Sequence, residues 1–464
     1  MERLRQILPV VWALGALVAF GVRPSTAADH RGYFLQPLNS GPEVTRACLE
    51  CHEDAAVALM KTTHWTWSLP QAIEGRGVVD RGKVNAINNF CVSVSGNWPR
   101  CTSCHAGYGW EDASFDFTDK TRVDCLVCHD TTGTYKKVPT GAGAPEPLVD
   151  LLHVARHVGK PGRENCGACH FYGGGGDAVK HGDLDSSIAK PTRTLDVHMG
   201  TDGADFACQE CHGAEEHRIR GNSMAVSPGG QAHIGCANCH EERPHGEPLL
   251  DGHLAAVACQ TCHIPTFARQ VPTKTSWDWS AAGQDVQGSP KQEGQPTYTK
   301  AKGRVTWGKN VQPVYAWYNG SGGAYLAGER VEGEGPVRLS YPLGSRGEAA
   351  ARIAPFKVHT GRQPFDPEHR VLITPKVFGE GGYWKTFDWN EASRLGMEAS
   401  GLPFSGQVAF IDTVMYWPLN HMVAPASQAL GCLDCHGSRG RLDWQALGYS
   451  ADPLRARPRA AAQP

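Results

Sequence analysis

Cys-x-x-Cys-His occurs eight times in this chain and uses all but one of its 17 cysteines. Two thiols three residues apart can add to the two vinyl groups of one haem, and the adjoining histidine then reaches the iron. The predicted attachment sites are Cys48, Cys51 and His52; Cys101, Cys104 and His105; Cys125, Cys128 and His129; Cys166, Cys169 and His170; Cys208, Cys211 and His212; Cys236, Cys239 and His240; Cys259, Cys262 and His263; and Cys432, Cys435 and His436. The pattern therefore predicts eight covalently bound haem c groups. Structural zinc needs four ligands, usually from two Cys-x-x-Cys halves, and gives no reason for a histidine after every second cysteine. A disulfide framework belongs to short secreted chains and gives no reason for the fixed spacing.

Each motif histidine is expected to fill one axial position of its iron. The chain has 21 histidines, enough for every iron to receive a second one. The expected opposite ligands are His64, His198, His217, His245, His253, His359 and His421, most of them in short polar contexts. His233 is a reserve, and His30, near the start of the mature chain, is expected to play no part. His153 and His157 share a helix face at i, i+4, a spacing that can bind metal. They read instead as a solvated pair.

A haem becomes catalytic when one axial position is open or held by a displaceable ligand. Two features point to such a site. Cys91 is the cysteine left over, a reactive thiol or a small buried residue. Residues 173–183 run Gly-Gly-Gly-Gly-Asp-Ala-Val-Lys-His-Gly-Asp. Four glycines let the backbone approach a flat partner closely, and Lys180, His181 and Asp183 follow at once. A lysine ligates iron only when neutral, so binding must expel its proton.

The elements that must position these groups are sparse. The chain of 464 residues has formal charge −2, only 41% hydrophobic residues, 54 glycines and 31 prolines. That balance argues against nucleic-acid binding and predicts a thin conventional core, with the macrocycles supplying much of the buried apolar surface. The expected fold is mainly α with extensive irregular loops, a multihaem cytochrome c fold organised around a stacked haem array. Residues 1–28 read as a signal peptide: Arg3 and Arg5, an apolar run over 7–22, and a small-residue cleavage site near Ala27 and Ala28. Export to the periplasm follows. Residues 29–265 form a haem-rich region carrying seven motifs, including the catalytic haem. Residues 266–464 form a cysteine-poor wrapping region ending in the eighth motif and a disordered tail from Arg455. Helices are expected over 150–158, capped by Asp150, and over 53–61, with a helical return near 417–430. The pairs Cys101/Cys125 and Cys236/Cys259, being close in sequence, should hold neighbouring haems.

The runs His64-Trp65-Thr66-Trp67, Asn88-Asn89-Phe90-Cys91 and 101–110 (CTSCHAGYGW), with 123–130 (VDCLVCHD) and 165–172 (NCGACHFY), resemble the octahaem tetrathionate reductase family of c-type cytochromes. The resemblance spans nearly all of the mature chain, and that family is similar to multihaem nitrite reductases and hydroxylamine oxidoreductase. It implies an oxidoreductase that reduces tetrathionate to thiosulfate and also accepts nitrite or hydroxylamine. It implies too that the second haem, on Cys101, Cys104 and His105, is catalytic, with a lysine from outside the motif as axial ligand and a cysteine beside the pocket. Carried over, these are Lys180 and Cys91, with Lys136 and Lys137 as competing lysines and His181 and Asp183 as proton donors. A calcium ion beside that haem follows from the likeness to nitrite reductases. The partners are then a small inorganic substrate and a periplasmic or membrane-bound electron donor, with no nucleic acid and the oligomeric state left open. Two alternatives are hydroxylamine or hydrazine oxidation and a non-enzymatic multihaem conduit.

Overall fold

The structure is a computed structural model that describes residues 29–73, 76–90, 93–221, 234–288 and 290–456. The export segment 1–28, Cys91, His233 and the tail beyond Ala456 lie outside the described residues.

Through the first half the chain forms short helices, of one to about two and a half turns, joined by loops and by an antiparallel hairpin, Ser68–Ile73 with Gly77–Gly82. Several motifs sit on such turns, at Leu126–His129, Arg163–His170, Cys208–Cys211, Cys259–His263 and Cys432–Cys435. One turn puts residues i and i+3 on the same side, which is what two sulfurs bound to one macrocycle require. The helix expected over 150–158 forms at Leu151–Arg156, where the Asp150 carboxylate accepts the His153 N–H at 2.8 Å. The helix expected over 53–61 forms at Ala55–Met60.

The second half departs from a mainly α reading. Nine strands make one mixed sheet: β1 Thr273–Asp278, β2 Tyr298–Thr299, β3 Gly303–Gly308, β4 Val314–Tyr318, β5 Gly322–Ala324, β6 Val337–Pro342, β7 Arg352–Asp366, β8 Val371–Leu372 and β9 Ala409–Pro418. Their main order is β5-β6-β9-β7-β1-β3-β2, with β4 and β8 also paired to β7. The helical return expected near 417–430 is absent. Strand β9 runs through Pro418, and only a short 3-10 turn, Ala426–Gln428, follows. The alternating Val-Met-Tyr-Trp run suits a pleated, half-buried surface, and Pro418 and Pro425 deny a helix its N–H donors. At the C-terminus Arg455 belongs to a turn of helix, Pro453–Ala456.

Strand β7 organises the site. Successive side chains of a strand alternate between faces, so Lys357, His359, Gly361 and Gln363 share one face. They pair across the ladder with Trp417, Met415, Thr413 and Ile411 of β9. That face covers two segments of the first half. Gln363 donates to the Asn88 carbonyl at 2.7 Å, and Asn89 donates to the His359 carbonyl at 2.9 Å. Lys357 donates to the Val179 and Lys180 carbonyls at 2.9 and 3.0 Å. One hydrophobic cluster therefore mixes Ile87, Phe90 and Val179 with Trp277, Trp279, Trp307 and Trp417. Full burial of each such ring contributes on the order of 1.5–3 kcal/mol. Among the described residues no helix is long and apolar enough to cross a membrane.

Candidate functional site

Seven of the eight motif histidines lie beside one other histidine each. The pairs, with ring-centre separations, are His52–His30 (6.3 Å), His129–His217 (6.4 Å), His170–His64 (6.2 Å), His212–His421 (6.1 Å), His240–His198 (6.0 Å), His263–His245 (6.2 Å) and His436–His253 (6.3 Å). Two imidazole nitrogens each about 2 Å from one metal ion place their ring centres about 6.2 Å apart. The separations therefore fit an iron between each pair.

The second ring nitrogens fit as well. A metal-bound histidine usually donates its other N–H to a carbonyl or carboxylate, which fixes the tautomer. Nδ1 of His129, His212 and His253 each meets a backbone carbonyl at 2.8 Å. Nδ1 of His436 meets Asp452 at 2.6 Å, that of His245 meets Asp251 at 3.0 Å, and that of His421 meets Asp183 at 3.3 Å. In all six, Nε2 is left for the metal.

Two expectations need correction here. His359, expected as an opposite ligand, lies beside no motif histidine; its nearest aromatic ring is Phe90, at 4.6 Å. His30, expected to play no part, is the partner of His52. The sequence signal for His30 was only its distance from the chain start, and that says nothing about where the 30–32 turn docks. His153 and His157 pack on each other at 4.4 Å, near no motif histidine.

The second motif is built differently. Among the described residues His105 has no histidine partner, and it alone of the motif histidines is fully buried, at 0% exposure. Its Nε2 is spent on the Trp65 carbonyl at 2.8 Å, the reverse of the pattern above. Trp65, Trp67, Trp110, Phe115 and Phe117 surround the ring at 4.9–6.4 Å. The backbone diverges too: the His105 N–H bonds to Thr102, three residues back, whereas His52, His129, His212, His240 and His436 bond to the first cysteine, four back. Burial pushes the imidazole down to about 3, so the ring is neutral. The expectation of His105 as an iron ligand conflicts with this geometry, because its coordinating nitrogen and its volume are both already committed.

Lys180 stands close to this motif. The Cys104 and Cys169 sulfurs interact directly, and the Cys104 thiol is near enough to raise the proton affinity of Lys180 slightly. Lys180 Nζ lies 4.7 Å from the Trp417 ring centre, and His181 packs edge-on against the same ring at 5.1 Å. Burial, and then the charge of Lys83, bring the Lys180 amine down to about 8, which eases loss of its proton. Burial also pushes His181 well below its ordinary value, with the Lys180 charge adding to the effect. Of the competing lysines, Lys137 also reaches this motif, but its ammonium is committed to other partners. Lys137 pairs with buried Asp124 at 2.8 Å and donates to the His105 carbonyl at 2.7 Å, and Lys136 is exposed.

The loop holding Lys180 is fixed by its backbone. Thr273 donates to the Ala178 carbonyl at 2.5 Å, and the Lys357 ammonium binds the next two carbonyls. Gly174 has φ +79°, and a Cβ there would lie 3.0 Å from Val179, 3.2 Å from Phe90 and 3.4 Å from Lys180. Gly174→Ala is therefore expected to cost about 1–2 kcal/mol from the left-handed backbone alone. A chemical denaturation curve of the holoprotein would show it.

Asp183 serves a different role from the expected one. Its buried carboxylate accepts the Asn420 and His421 N–H groups at 2.7 and 3.0 Å as well as the His421 ring. Burial alone would raise its carboxyl, but the bond and charge of His421 outweigh that and hold it at about 2. Asp183 positions His421. Cys91 itself is outside the described residues, while its neighbour Phe90 packs between Gly174 and His359. Among the described residues no group of three or more His, Cys, Asp or Glu side chains could hold a metal ion, so the expected calcium ion has no support.

The attachment segments touch in a branched series. Cysteine sulfurs of the first and third motifs meet, as do those of the second and fourth, the fourth and fifth, and the sixth and seventh. Cys128 and Cys166, Cys211 and Cys239, and Cys262 and Cys435 are near enough to feel each other's charge. Of the two pairs expected from sequence proximity, Cys236 and Cys259 touch. Cys101 and Cys125 instead border one shared aromatic cluster.

Against known proteins, a crystal structure titled as the octahaem cytochrome c from Shewanella oneidensis is 55% identical to this chain. It superimposes with a TM-score of 0.88 over 92% of this chain and 98% of that one. The chain belongs to the octahaem c-type cytochromes. A family model described as bacterial cytochrome c matches residues 274–439, the sheet and the eighth motif. An uncharacterised protein of Archaeoglobus fulgidus is 24% identical over 246 residues, covering 42% of this chain and 82% of that protein. This octahaem cytochrome is thus a multihaem redox protein with covalently bound haem c.

Proposed function

We propose that this octahaem cytochrome is a periplasmic reductase of sulfur or nitrogen oxyanions, taking electrons from a periplasmic or membrane-bound donor. Tetrathionate is the leading acceptor, with nitrite and hydroxylamine as further ones. The observation that carries the reading is the asymmetry among the sites: among the described residues seven motif histidines have a histidine partner and His105 does not. Lys180 would then be the residue that holds the haem iron at the second site, leaving it able to take up an acceptor.

When bound, the haems store and pass electrons, and the second one offers the acceptor an iron. The chain's own residues do the rest. The aromatic box keeps His105 away from the metal. Trp417 and the Lys357-bound carbonyls hold the Lys180 amine in place, and its lowered proton affinity favours the neutral, ligating form. By the family resemblance, the Cys91 thiolate would meet a sulfur substrate by thiol–disulfide exchange. His181, which packs on the same Trp417 ring as Lys180, would supply protons.

Steady-state assays with reduced viologen dye test the reading. Oxidation of the dye by tetrathionate, nitrite or hydroxylamine is expected. A holoprotein inert to all three, with every iron closed to added cyanide, would make it an electron conduit instead.

A further inference from the structure

Strand β7 carries a histidine that the site as described does not use. His359 is fully buried, and neither ring nitrogen has a hydrogen-bond partner. A neutral imidazole has one donor and one acceptor, and buried polar groups are nearly always paired. Along the same face the side-chain amide oxygens of Asn89 and Gln363, the Thr413 hydroxyl and the Trp417 indole N–H are buried and unpartnered as well. All four neighbours belong to the same place. Gln363 shares the His359 face, Thr413 and Trp417 pair across to that face, and Asn89 donates to the His359 backbone. Such a concentration of donors and acceptors suits small polar molecules rather than a packed core. Continuity with the second site runs through Phe90, which contacts the His359 ring on one side and the Gly174–Lys180 loop on the other.

We propose that His359 is a proton-transfer residue, handing protons through water held by Asn89, Gln363 and Thr413 to an acceptor bound at the second attachment site. The inference rests on the reductase reading above. Burial, then the charges of Lys357 and Lys274, keep the ring neutral. It therefore moves a proton by donating from one nitrogen while accepting at the other.

The chemistry makes this specific. Hydroxylamine takes two electrons and three protons: the N–O bond breaks, nitrogen leaves as ammonium and oxygen as water. Tetrathionate takes two electrons, its central S–S bond breaks, and two thiosulfates leave with no proton consumed. A one-electron donor such as reduced viologen supplies both reactions.

The test is His359→Gln, which keeps a hydrogen-bonding side chain but cannot relay a proton. The turnover number with hydroxylamine is expected to fall about a hundredfold, within the usual range for a lost acid–base group. The KM for hydroxylamine and the rate with tetrathionate should change less than about twofold, since neither depends on proton transfer. The electron paramagnetic resonance spectrum of the substrate-free variant, and its haem content, should match the parent. A new high-spin signal in the variant would make His359 an iron ligand and overturn the inference. Equal loss with both acceptors, or equal retention, would overturn it too. If the parent reduces only nitrogen compounds, the solvent deuterium isotope effect on the variant's turnover decides, because an unchanged effect rules out proton transfer through His359. A parent that reduces only tetrathionate leaves no proton to deliver and ends the inference alone. A parent inert to every acceptor ends the reductase reading with it.

Discussion

Replacing Lys180 with alanine is expected to abolish acceptor reduction while leaving the protein folded and loaded with haem. Losing even an outer partner of a metal ligand costs about 10–100-fold, so losing the ligand itself should cost at least about a hundredfold in kcat/KM. The fold should survive, because the loop is held through its backbone: Lys357 and Thr273 bind the carbonyls around Lys180 whatever side chain stands there. Only the contact with Trp417 is lost. The measurement pairs viologen-linked activity with electron paramagnetic resonance of the oxidised protein. One haem of the set should change its signal and the remainder should not. Retained activity, or a spectrum with no change, would remove Lys180 from the metal.

The complementary variant, His105→Ala, is expected to do the reverse. Alanine at any other motif histidine deletes one member of a pair and should convert one low-spin iron. At His105 the iron signals should stay as they are, because the ring nitrogen that would coordinate is bonded to the Trp65 carbonyl. The cost appears in stability. Truncating a large buried side chain typically costs about 2–5 kcal/mol, and the orphaned Trp65 carbonyl adds about 1–3 kcal/mol. A thermal melt of the holoprotein well below the parent, with an unchanged resonance spectrum, is the expected outcome. A new high-spin signal would return His105 to the iron.

How far these sites were legible beforehand depended on the kind of information each needs. Haem attachment is local: two cysteines and a histidine within five residues define the motif, so the sequence alone can predict each site. Opposite ligands are not local. His64, His198, His217, His245, His253 and His421 were readable because short polar contexts mark histidines free to reach a metal, and the structure sets each beside a motif histidine. His30 and His359 show the limit. One looked too near the terminus and the other looked like its neighbours, and only long-range docking separated them.

Composition foretold a thin core but missed the nine-stranded sheet. Most of its strands are short, and the longest, β7, is buried on both faces and carries Pro355, Gly361 and Pro364, so a period of two shows clearly only in β3 and the end of β9. The covalent chemistry of this octahaem cytochrome was written in the order of its residues, because a five-residue motif carries its own geometry. Which motif differs was decided by tertiary structure. The aromatic box that encloses His105 is assembled from residues 65 to 117, and the strand face that fixes Lys180 lies some 180 residues further along the chain. Contacts at that separation are set by how layers pack, and no local pattern records them.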